Sequence, residues 1–67
     1  MKIINAWKQS DLYGNDEPIV GAMWEGGDGS FRRVEVRLED GELPIQRLQC
    51  VPLAVVEALH KQARGDI

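Results

Sequence analysis

Sixty-seven residues, a net charge of −3 and a single cysteine bound the problem tightly. A chain this short builds one small core worth only about 3–5 kcal/mol, and with Cys50 alone it cannot add an internal disulfide. That excludes a secreted disulfide scaffold and points to a reducing, cytoplasmic setting.

No apolar run approaches the roughly 18 residues needed to cross a bilayer, and "MKIINAWKQSD" lacks the apolar centre of a signal peptide. One soluble domain over residues 1–67 is therefore expected, with no membrane partner.

Taken in chain order, "KIINAWK" and "PIVGAMWE" are short, apolar and rich in isoleucine, valine and tryptophan, which predicts two strands. "SDLYGNDE" is the loop between them. The sequence leaves open whether the first strand pairs with the second or crosses elsewhere.

The stretch "WEGGDGSFRR" then raises a choice, because glycines beside arginines can cradle a phosphate. Such a cradle depends on the helix N-terminus that follows it, which lends free N–H groups and a dipole. Here "FRRVEVRL" follows, a strand by its period. The glycines are read as a connection between strands.

In "RVEVRLEDGELPIQRL", Val34, Val36 and Leu38 alternate with Arg33, Glu35, Arg37 and Glu39, the signature of a strand with one buried face. Asp40-Gly41 suits the two positive-φ positions of a type I′ turn. That turn pairs Leu38 with Leu43, Val36 with Ile45, Arg37 with Pro44 and Glu35 with Gln46, so a fourth strand is expected. Pro44 puts that strand at an edge, or ends it irregularly, because proline cannot donate to a ladder.

"CVPLAVVEALHKQARGD" changes period. Val55, Val56, Leu59 and Ala63 form one helical stripe, Pro52 suits the first helical position, and Gly65 suits the C-terminal cap. Leu53 falls on the polar side. The stripe is expected to cover the sheet face bearing Val34, Val36, Leu38 and Ile45. The fold class is thus α+β: a two-layer domain of a four-stranded antiparallel meander with one C-terminal helix on one face, ββββα. The opposite face and at least one edge strand stay open.

Catalytic chemistry finds no set of residues. Cys50 and His60 sit too far apart in the predicted elements to act as nucleophile and base, and no third group orients them. Glu57 and His60 form half of a di-metal motif that needs a second helix. No catalytic residue, metal site or cofactor is expected, and binding is the better reading.

Charge and aromatics suggest where. No Lys or Arg occurs between Gln9 and Phe31, whereas Asp11, Asp16, Glu17, Glu25 and Asp28 all fall there. Trp7, Tyr13, Trp24 and Phe31 lie in the same half. A core this small is not expected to hold both tryptophans. Trp24, beside Glu25 and the glycine turn, is taken as the exposed one, an aromatic anchor rimmed by carboxylates.

The expected partner is a larger protein with a basic surface, bound through Asp11, Asp16, Glu17, Trp24, Glu25 and Asp28. The alternative is a nucleic-acid-binding regulator reading through Arg32, Arg33, Arg37 and Arg47, against which the interleaved Glu35 and Glu39 argue. The chain itself is expected to be a monomer, or a homodimer through the open face or an edge strand. In size and acidity it is similar to accessory proteins of phages and mobile elements. Some of these, the anti-CRISPR proteins among them, inhibit by covering a surface, which implies occlusion as the mode of action.

Overall fold

The computed structural model describes residues 1–9 and 18–65. Its elements are strands β1 (Lys2–Gln9), β2 (Ile19–Glu25) and β3 (Phe31–Arg37), a 3-10 turn at Ile45–Leu48, and helix α1 (Leu53–Arg64). The strands form one antiparallel sheet in the order β1-β2-β3. The first strand therefore pairs directly with the second.

Between β2 and β3 the glycine-rich stretch closes a tight connection. The Gly26 N–H donates to the Ser30 carbonyl at 2.8 Å, and Gly29 stands at φ 82°. The Asp28 carboxylate accepts from both the Ser30 N–H (3.0 Å) and the Ser30 hydroxyl (2.6 Å). Strand β3 follows, with no helix to supply an anion site, as the period of "FRRVEVRL" requires.

The Asp40-Gly41 turn forms as its chemistry demands. Asp40 and Gly41 take φ 52° and 79°, and Glu39 and Glu42 exchange backbone hydrogen bonds of 2.8 and 2.9 Å. Leu38 and Leu43 are both buried. The fourth strand does not form. Pro44 offers no N–H, the Ile45 N–H turns back to the Leu43 carbonyl at 2.9 Å in a γ-turn, and the Arg47 N–H donates to the Pro44 carbonyl at 2.9 Å, winding the chain into the 3-10 turn. The expected pairings of Val36 with Ile45, Arg37 with Pro44 and Glu35 with Gln46 are absent, and the turn buries Leu48 while Ile45 is exposed.

Helix α1 presents its stripe as expected: Val55 and Leu59 are fully buried, with Val56 and Ala63 packed beside them. Gly65 ends it at φ 79°, its N–H donating to the Gln62 carbonyl at 3.1 Å. Pro52 sits one position before its expected place, extended at φ −56° and ψ 145°, and its carbonyl accepts from Val55 and Val56. Leu53 is 73% exposed.

The helix lies over β1 and β2 rather than over β3. Lys8 of β1 reaches its C-terminal end, donating from Nζ to the Ala63 carbonyl at 3.4 Å, where the helix dipole favours a cation. The core joins Val20, Ala22, Trp24, Leu38, Leu43, Leu48, Val55 and Leu59, with Ala6, Val34 and Val36 at its margin. Among the described residues no helix is long and apolar enough to cross a membrane.

Candidate functional site

Strand alternation sorts β2 into two faces. Val20, Ala22 and Trp24 are buried under the helix, so Ile19, Gly21, Met23 and Glu25 point the other way. On that second face the register sets Trp7, Gly21 and Glu35 in one row across the strands. Asn5, Met23 and Arg33 form the next row, and Gln9, Ile19 and Arg37 the row on the other side.

Gly21 is what allows the indole of Trp7 to lie across the central strand. A Cβ added there would fall within the ring. The indole Nε1–H donates to Glu35 Oε2 at 3.2 Å, and Arg33 binds Glu35 Oε1 at 2.9 Å. The Arg33 guanidinium also sits 5.5 Å from the indole centroid, within cation–π range.

Indole, carboxylate and guanidinium thus hold one another. Trp7 is half-buried with a defined orientation, Met23 is half-buried in the adjoining row, and Phe31 is 69% exposed at the start of β3. The result is an aromatic and apolar platform framed by compensated charges, the composition that protein contacts favour.

The expected binding residues are distributed differently. Trp24 is the correction: at 6% exposure it is a core residue, because its position in β2 points it at the helix side with Val20 and Ala22. The surface tryptophan is Trp7. Glu25 ends β2 on the open face, opposite Phe31.

Asp28 sits in the neighbouring turn, 3.8 Å from Arg32. Its carboxyl is held below the usual aspartate range, chiefly by the Ser30 hydroxyl and then by the Ser30 N–H. Asp11, Asp16 and Glu17 lie outside the described residues.

The four arginines do not converge. Arg33 and Arg37 lie on the open face, Arg32 follows Trp24 on the helix side of the sheet, and Arg47 belongs to the 3-10 turn, paired with Glu39 at 3.4 Å. Arg32, Arg33 and Arg47 sit against carboxylates within the same molecule.

On the helix side a groove of about 440 Å³ opens between Met1, Trp24, the Gly26-Gly27 backbone, Arg32, Cys50 and Pro52. The Trp7 platform was not legible in the sequence, since only the β1–β2 register sets Trp7 opposite Gly21. Compared with known protein families, curated proteins and solved structures, the chain shows no match.

Proposed function

We propose that this protein is a non-enzymatic binding module that acts by covering a surface of a larger protein, the mode of anti-CRISPR-type inhibitors. The observation that carries this reading is the sheet face that no element among the described residues covers. One helix closes one side of the sheet, and the other side displays Trp7, braced by Glu35 and Arg33, beside Met23 and Ile19. Rigid aromatic area with charges already compensated costs little to order or desolvate on binding. The acidic residues Asp11, Asp16, Glu17, Glu25 and Asp28 add a preference for a basic partner.

A nucleic-acid regulator is the weaker reading, because Arg32, Arg33 and Arg47 face carboxylates in the same chain and do not form one stripe.

Affinity capture from host lysate, treated with nuclease, tests the reading with variants on the two sides. Met23→Arg on the open face is expected to lose the captured protein, and Leu53→Arg on the exposed helix flank to keep it. Charge reversal at Asp16, Glu17 or Asp28 is expected to weaken capture more than reversal at Glu57. Loss through Leu53→Arg with retention through Met23→Arg overturns the platform. Equal losses at the acidic segment and at Glu57 overturn the acidic contribution.

A further inference from the structure

The two edges of the sheet are built differently. β1 carries a register shift between Ile3 and Asn5 and lysines at Lys2 and Lys8, and it is tied to the helix through Lys8. Bulges and lysines are the usual protection against pairing with another chain. β3 pairs with β2 without interruption and holds no Pro, Gly or Lys. Among the described residues its outer side has no neighbouring strand.

The direction of its backbone groups follows from two hydrogen bonds. Leu38 N–H points inward to the Pro18 carbonyl at 2.9 Å, while Glu39 points outward and pairs with Glu42. Groups alternate along a strand, so Phe31, Arg33, Glu35 and Arg37 offer their N–H and C=O outward. Glu42 occupies the same edge beyond Arg37, so the open edge is the seven residues Phe31–Arg37, and its midpoint is Val34.

We propose that β3 pairs antiparallel with β3 of a second copy of this chain, about a two-fold axis at Val34. That register sets Arg33 against Glu35 of the second copy and Phe31 against Arg37, all on the open face. On the helix side it sets Val34 against Val34 and Arg32 against Val36.

Every outward backbone group then meets a partner, because Phe31 to Arg37 and Arg33 to Glu35 are the hydrogen-bonded pairs of the ladder. The alternatives are poorer. Keeping the hydrogen-bond phase allows shifts of only two residues. One shift puts Arg33 against Arg33; the other puts Glu35 against Glu35 and Arg33 against Arg37, and like charges directly opposite repel.

Of the three registers, the Val34-centred one alone sets Arg33 against Glu35 and no like charges opposite each other. Such an interface is isologous and closes on itself, joining three strands from each copy into one sheet. It is small beside a standard interface of roughly 1,600 Å², so the dimer is reversible. It forms through the backbone edge of β3, and self-association of the purified chain is read without any partner on the face.

Sedimentation equilibrium over a wide concentration range tests this with the purified chain. The wild type is expected to shift from the monomer mass of 7.5 kDa toward twice that value as concentration rises. Glu35→Arg is expected to stay at the monomer mass, and the double variant Arg33→Glu with Glu35→Arg to regain the shift.

Val34→Cys in a Cys50→Ser background supplies a second readout that does not depend on the charges. Mild oxidation is expected to cross-link it across the axis, and to cross-link Leu53→Cys in the same background far more slowly. A wild type that stays monomeric throughout overturns the proposal, as does a dimer unaffected by Glu35→Arg. Equal cross-linking at the two cysteine positions overturns it even if the arginine variant fails to fold.

Discussion

Gly21 shows how one missing side chain organises a surface. The indole of Trp7 rests where a Cβ would stand, and from there it reaches Glu35 and stacks under Arg33. Gly21→Ala would gain about 0.5–1 kcal/mol from reduced freedom of the unfolded chain. It would lose about 1–3 kcal/mol by forcing the ring off the strand. The expected net effect is a loss of about 1 kcal/mol, seen as a lower urea midpoint together with a red-shifted tryptophan emission from Trp7. An unchanged emission spectrum would mean that the ring does not depend on the glycine.

Trp24 illustrates the converse at the same scale. Its sequence neighbours, Glu25 and the glycine turn, suggest a surface position. What decides its burial is the alternation of β2, which places it on the same side as Val20 and Ala22. Adjacency along the chain says little about exposure when successive side chains of a strand face opposite ways.

At the level of elements, the turn between β3 and the 3-10 segment was legible because local chemistry dictates it. Asp40 and Gly41 both need φ above zero, and Asp-Gly is the pair that tolerates this. Gly41→Ala is expected to cost about 1–2 kcal/mol, measured by chemical denaturation, since Ala pays the left-handed penalty that glycine avoids.

The strand beyond the turn was a different matter. The apolar alternation of Leu43 and Ile45 fits a fourth strand, but one ladder pair cannot hold a strand against the missing N–H of Pro44 and the 3-10 bond from the Arg47 N–H to the Pro44 carbonyl. The helix was legible from its 3.6-residue stripe and its glycine stop. Its seat over β1 and β2 was not, because any apolar face offers an amphipathic helix a similar gain.

For the whole molecule, size is the governing fact. Among the described residues the core is eight buried side chains drawn from β2, the segment after β3 and the helix. Leu59 is fully buried at its centre. Leu59→Ala is expected to cost about 2–5 kcal/mol, comparable to the whole stability of about 3–5 kcal/mol available to so small a domain. Circular dichroism should find the variant largely unfolded at 25 °C, whereas Leu53→Ala, at 73% exposure, should leave the midpoint almost unchanged. A folded Leu59→Ala chain would show that the helix is not the main source of cohesion.

By itself the sequence determined the type and place of three strands, the connecting turn at Gly26 to Ser30, the Asp40-Gly41 turn and one capped helix, although it also predicted a fourth strand that does not form. These rest on period and φ preference, which act between neighbours along the chain. Only the tertiary structure decided that β1 pairs with β2, that Trp7 and not Trp24 faces solvent, and that the arginines fall on different surfaces. Each of those outcomes depends on register between segments joined by loops, and register is set by the fit of whole faces rather than by any residue's neighbours.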